Sequence, residues 1–393
     1  MRSDLSLRHG CALMLLVVFF GAYGCGSGGG DNDMVSPRLT PTSAPSPSPP
    51  VASPTIGGIQ AIAVGALSVP VGENQGVILR SRDSGSSWTV VQTVANSLNA
   101  LSFPDHNNGW AVGPSSIVHS ADSGDSWSVQ REIPEDLRDV EFTSSSHGVA
   151  VGGLPPQPGN FSGGGLVLVT DDSGTTWSPV TLPQSVPLQR ATLMSVCFTT
   201  TATGVTFGEG VSGGVALRSD DGGAAWQDIS DRLDGDGLKG AACIGASEIW
   251  VVGVGPRAIH SMDGGLTWED RSAPLTAVFT GELFAVEFET PLVGWAAGDR
   301  SVGETQTIAK PIVVHTLDGG TTWQEQALPE SAAAGSISGS AFRSSNGLLV
   351  GQANREADAT LPIGFVTIDG GTTWSPASFP PSTGLLQDVT LIP

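Results

Sequence analysis

One short pattern, [S/T]-x-D-x-G-x-x-W, recurs seven times: SRDSGSSW (81–88), SADSGDSW (120–127), TDDSGTTW (170–177), SDDGGAAW (219–226), SMDGGLTW (261–268), TLDGGTTW (316–323) and TIDGGTTW (367–374). Its aspartates, Asp83, Asp122, Asp172, Asp221, Asp263, Asp318 and Asp369, stand 39, 50, 49, 42, 55 and 51 residues apart. That is the span of one four-stranded propeller blade. Each box tryptophan (Trp88, Trp127, Trp177, Trp226, Trp268, Trp323, Trp374) opens a new stretch of chain.

The rest of each unit repeats as well. An alternating stretch comes first, as in LNALSF (98–103), LRDVEF (137–142), LMSVCF (193–198) and LFAVEF (283–288). A glycine-bearing strand follows, as in GWAVG (109–113), GVAVG (148–152), IWVVG (249–253) and GWAAG (294–298). A third strand leads into the box, and a fourth begins at its tryptophan. Alternation at period two marks each as a half-buried strand. The chain enters on a second-strand pattern, AIAVG (61–65), and ends on a first-strand pattern, LLQDVTLIP (385–393). The fold expected is therefore all-β, a seven-bladed β-propeller of four-stranded blades. Its C-terminal strand completes the first blade and closes the ring over residues 56–393, leaving no free sheet edge.

The box reads as a hairpin turn. An Asp side chain accepts nearby backbone N–H groups, Gly takes a left-handed conformation, and Trp buries a large surface between blades. Recurrence around a ring makes these positions structural. His119, His260 and His315 share one slot, the residue before the box Ser/Thr, but on different blades they cannot converge on a metal. No metal or cofactor is expected.

Residues 1–24 read as a lipoprotein signal: Arg2 and Arg8, an apolar run from Cys11 to Phe20, then small residues before Cys25. Cys25 is the expected lipid attachment site, and 25–55, first Gly-rich and then Pro/Ser/Thr-rich, the tether. The chain is thus expected to be exported and lipid-anchored at a bacterial cell envelope, as a monomer. Cys197 and Cys243 lie on first strands of adjacent blades, where an oxidising compartment permits a disulfide. The balance of 38 Asp+Glu to 17 Lys+Arg, without a basic run, argues against nucleic-acid binding.

Boxes of this kind occur in sialidases, some β-glucanases, sortilin-type receptors and the photosystem II assembly/stability factor family. The cadence "F…GWAVG…I…S.DGG.TW" at 103–127 and 288–323 resembles the last most closely. The resemblance implies a non-catalytic scaffold that binds a protein. A sialidase is disfavoured because the sole tyrosine, Tyr23, falls in the signal region. The alternative is a carbohydrate-active propeller, either a glycoside hydrolase or a glycan-binding lectin. Box turns should crowd one face uniformly, whereas long loops vary on the other. Arg300, Lys310, Arg355 and Arg190 on that loop face are the candidate contacts for a protein or glycan partner.

Overall fold

The computed structural model describes residues 58–68, 75–154, 164–185, 191–210, 213–233, 237–302, 308–331, 334–353 and 361–393. The signal and tether, with Cys25, lie outside the described residues. Twenty-six strands build a β-propeller of six antiparallel sheets. The first sheet orders β26 (Thr383–Leu391), β1 (Ala61–Leu67), β2 (Gly76–Ser81) and β3 (Thr89–Val94). The second contains β4 (Ala100–Ser102), β5 (Gly109–Ser120), β6 (Ser128–Phe142), β7 (Gly148–Gly153), β8 (Gly165–Thr170) and β9 (Ser178–Pro179). The third runs β10 (Thr192–Phe198), β11 (Gly204–Gly210), β12 (Gly213–Ser219), β13 (Gln227–Asp228). The fourth runs β14 (Leu238–Ile244), β15 (Glu248–Gly253), β16 (Arg257–Ser261), β17 (Glu269–Asp270). The fifth comprises β18 (Gly281–Phe288), β19 (Gly294–Val302), β20 (Ile308–Thr316) and β21 (Gln324–Glu325). The sixth holds β22 (Ser336–Arg343), β23 (Asn346–Ala353), β24 (Leu361–Thr367) and β25 (Ser375–Pro376).

The expectation of seven four-stranded blades is therefore corrected to six sheets, one of them six-stranded. The second and third repeats share a sheet because β6 runs unbroken from the fourth strand of one repeat into the first strand of the next. Pro114 pairs with Asp136 across the join of β5 and β6, and β6 continues through Phe142 to pair with β7. Closure by the C-terminal strand is observed, with Ala61 opposite Leu391 and Ala63 opposite Val389.

The box turns are built alike. In the turn after β16, Ser261 Oγ accepts the Gly265 N–H at 2.9 Å and donates to Asp263 Oδ1. Asp263 accepts the Thr267 N–H at 2.8 Å and its hydroxyl at 2.6 Å, while Trp268 Nε1 donates to the Gly265 carbonyl. Hydrogen bonds from the Thr322 N–H and hydroxyl hold the Asp318 carboxyl below its ordinary pKa. The fourth box position is left-handed whether it is Ser123 (φ 62°) or Gly264 (φ 68°), so the chain reverses over two consecutive left-handed residues.

Neighbouring sheets meet through aromatic ladders. His260 stacks on Trp250 (centroids 4.2 Å), Trp250 on Phe288 of the next sheet (4.8 Å), and Trp323 meets both edge-on. His315, Trp295, Phe342 and Trp374 repeat the arrangement. Within the six-stranded sheet, His119, Trp110, Phe142 and Trp177 do the same, β5 turning back at Ser115 to bring His119 onto Trp110. Burial holds both His119 and His315 below the ordinary histidine pKa. Where the slot holds arginine instead, it staples sheets by hydrogen bonds: Arg80 Nη1 donates to the Ser123 carbonyl and Arg218 Nε to that of Gly264.

A Cβ on Gly253 would sit 1.9 Å from the Gly237 carbonyl oxygen, whereas one on Gly370 (φ 68°) meets nothing within 4 Å. Gly370→Ala should thus cost only the left-handed penalty, about 1–2 kcal/mol. Gly253→Ala forces two backbones apart and should cost more; equilibrium denaturation of the two variants measures the order.

Candidate functional site

The repeated second-strand glycines have a further consequence. Five inner strands carry a β-bulge where they pass one of them: the register shifts between Leu137 and Asp139, Leu193 and Ser195, Leu238 and Gly240, Leu283 and Ala285, and Ile337 and Gly339. Added Cβ atoms on Gly152, Gly208, Gly298 and Gly351 would lie 2.0–2.1 Å from the carbonyl oxygens of Asp136, Thr192, Glu282 and Ser336. Only glycine lets the bulged strand approach so closely. The extra residue of each bulge is Arg138, Met194, Lys239, Phe284 or Ser338, and bulges re-aim such side chains. Together with Asn99 and Gln387 they ring the mouth of the central channel in a cavity of about 300 Å³. This mouth opens on the face of the long second-to-third-strand loops.

The mouth is chemically mixed. Arg138 pairs with Asp136 at 2.5 Å, and Lys239 Nζ with Glu209 at 2.6 Å. Asn99 Nδ2 donates to the Leu137 carbonyl at 2.7 Å. Two cations, two apolar side chains and several neutral hydrogen-bonding groups thus face one opening. Ion pairs of this exposure contribute at most about 1 kcal/mol, so either cation can exchange its partner for a ligand.

Below the mouth, the channel (about 440 Å³) is walled by inner-strand segments from all six sheets. Inner strands of neighbouring sheets do not form ladders with one another, so their N–H groups need other acceptors. Carboxyl groups provide them. Asp139 accepts the Val196 N–H at 2.8 Å, Asp388 that of Leu101 at 2.9 Å, and Glu287 that of Phe342 at 3.0 Å. Ser102 Oγ does the same for Phe142. Burial pushes Asp139 up to about 6, and burial with the nearby Asp139 charge pushes Asp388 up to about 7. Burial raises Glu287 to about 8. Glu141 also rises to about 8, from burial and the Asp139 charge, and accepts no hydrogen bond among the described residues. Among the described residues, no group of three or more His, Cys, Asp or Glu could hold a metal ion.

The sulfurs of Cys197 and Cys243 are bonded across a Cα–Cα distance of 5.7 Å. Packed sheets usually stand ~10 Å apart, but inner strands converge toward the axis and close that gap between β10 and β14. Of the four loop-face cations singled out in the sequence, Arg300 and Lys310 come together, directly opposite on the β19–β20 hairpin. Arg300 is paired with Glu325, and Lys310 is exposed. Arg190 and Arg355 lie outside the described residues. Sequence reasoning missed the bulged ring; its signal was the glycine repeated at 152, 208, 253, 298 and 351.

No protein-family model and no curated protein matches the chain. Solved structures do, at the level of fold. YCF48 bound to a D1 peptide aligns with TM-score 0.51 and 18% identity, over 71% of this chain and 80% of that one. YCF48 from Cyanidioschyzon merolae gives 0.48 and 15%, over 84% and 95%. A GH74 xyloglucanase from Xanthomonas campestris gives 0.47 and 12%, over 84% and 69%. The shared feature is the β-propeller.

The raised channel carboxyls fix a pH response. A group whose folded pKa lies above its unfolded value contributes stability fully below the unfolded pKa and loses it as pH rises through the folded one. For Glu141 that window runs from its ordinary value of 4.5 to about 8. Glu141→Gln should therefore raise the Tm at pH 9 and change it little at pH 4, by calorimetry.

Proposed function

We propose that the chain is a non-enzymatic binding scaffold of the cell envelope, held by a lipid on Cys25, which receives a protein partner at the channel mouth on its loop face. The observation that carries this reading is the bulged ring. Arg138, Lys239, Met194 and Phe284 converge from different sheets on one opening, and rigid strands position all four. Cations, a thioether and an aromatic ring suit a peptide that offers both carboxylates and apolar side chains. YCF48 uses the same fold in a structure with a bound peptide. The β19–β20 hairpin, with Arg300 and Lys310, would extend the contact beyond the mouth.

The carbohydrate-active reading requires a pair of carboxyl groups free in a cleft. Asp139, Asp388 and Glu287 are instead occupied by backbone N–H groups inside the channel, which favours binding over hydrolysis.

Changing Cys25 to Ser should move the protein from the membrane pellet to the soluble fraction. Retention in the pellet would exclude a lipid anchor.

The mouth is tested by Arg138→Ser/Lys239→Ser/Phe284→Ser. A partner recovered by pull-down from envelope extract should bind this variant at least about tenfold more weakly, the loss expected when interface anchors are truncated. Asp263→Ala in a box turn should lower the Tm yet leave the folded fraction binding normally. If the box variant loses binding while the mouth variant keeps it, the working face is the wrong one.

A further inference from the structure

The box face is not uniform. The four most exposed large apolar side chains among the described residues are Met262 (71%), Ile368 (69%), Leu317 (68%) and Leu292 (59%), and all lie there. Met262, Leu317 and Ile368 occupy one position, the residue between the box Ser/Thr and Asp, in three consecutive turns. Leu292 belongs to the same surface: its carbonyl accepts the Gly319 N–H, and its Cδ2 lies 3.7 Å from where a Gly319 Cβ would be. Leu266, 51% exposed, adds a fifth. In other turns the equivalent position holds Arg82, Asp171 or Asp220, whose side chains are 62%, 84% and 55% exposed. Three of the seven turns are thus charged at this position, a fourth holds Ala121, and the arc of the other three is apolar.

Such an arc is an interaction surface rather than scattered exposure, and chain entry indicates what covers it. The Ile59 N–H donates to Ser84 Oγ of the first box turn, and the Ile59 carbonyl accepts the Ser84 N–H. The polypeptide leading from Cys25 therefore joins the propeller at the box face, after 33 intervening residues. We infer that the apolar arc of Met262, Leu266, Leu292, Leu317 and Ile368 rests on a zwitterionic lipid surface, turning the box face to the membrane and the channel mouth away from it. This rests on the lipid-anchor reading. A net charge of −21 opposes approach to anionic headgroups. A neutral phosphatidylethanolamine surface carries no such penalty, and the shallow seating of a few apolar side chains suits a domain already held by an acyl chain.

The test uses the processed lipoprotein in phosphatidylethanolamine vesicles. With Cys197 and Cys243 bonded to each other and Cys25 acylated, an introduced cysteine is the reactive thiol. Leu317→Cys, Ile368→Cys and Asp171→Cys each receive an environment-sensitive fluorophore, and spin-labelled lipid serves as quencher. Quenching should be about twofold or more stronger at 317 and 368 than at 171, and Met262→Ser/Ile368→Ser should abolish it at 317 while the protein still pellets with vesicles. Protein that pellets but is quenched equally at all three sites overturns the arc and leaves the anchor standing. Protein that fails to pellet overturns the anchor, and this orientation with it. A blue shift at 317 without lipid quenching indicates a second copy on the arc and overturns the lipid assignment.

Discussion

A propeller's inner strands present a problem that the rest of this molecule is arranged around. Each has a ladder partner on one side only, and its other edge faces a neighbouring inner strand that cannot pair with it. Buried N–H groups left there would cost about 1–3 kcal/mol each. Side-chain oxygens close the gap from strand to strand: Asp388 to Leu101, Ser102 to Phe142, Asp139 to Val196, Glu287 to Phe342. Between β10 and β14 a disulfide takes that place. Three of the four channel carboxyls thus serve backbone donors, whereas Glu141 accepts none among the described residues. Their raised pKa values, which in another setting would suggest acid–base chemistry, are the electrostatic consequence of crowding carboxyls where little water reaches.

The same inner strands supply the site. In five of them a bulge adds one residue at the loop-face end, and the facing glycine of the second strand yields the space. Architecture and candidate site are therefore coupled through a backbone contact so close that a Cβ would sit only 2.0–2.1 Å from the neighbouring carbonyl oxygen. In this chain the ring reads Arg138, Met194, Lys239, Phe284, Ser338, a composition with affinity for both charge and apolar surface.

The propeller, the box turns and the closure of the ring by β26 were legible in the sequence because each rests on local rules: period-two alternation, a turn that needs Asp and Gly at fixed offsets, and a terminal strand without a unit of its own. The sheet count was not. Seven boxes imply seven four-stranded blades only if every connection breaks the ladder, and the Pro114–Asp136 pairing shows a place where it does not. The bulged ring escaped for a related reason. Arg138 and Lys239 sit in stretches that alternate normally, and only the register against the neighbouring strand reveals the added residue. Arg300 and Lys310 lie directly opposite each other where β19 and β20 extend into the segment read as a loop, and Arg300 is paired with Glu325.

The two faces of the ring differ in how far their chemistry is constrained. On the box face, Ser or Thr, Asp, Gly and Trp are committed to the turn, and only the position after the Ser/Thr and those near the tip remain open. Variation there is informative because so little is permitted. Seven turns of one geometry carry Arg82, Ala121, Asp171 and Asp220 on one side and Met262, Leu317 and Ile368 on the other. Turn stability does not require that division, since Asp172 and Asp318 accept the same hydrogen bonds in both halves. A water-exposed Leu or Ile gains nothing from the turn itself. Its recurrence at one position in three consecutive turns, on the face where the chain enters, is the pattern on which the proposed lipid contact rests.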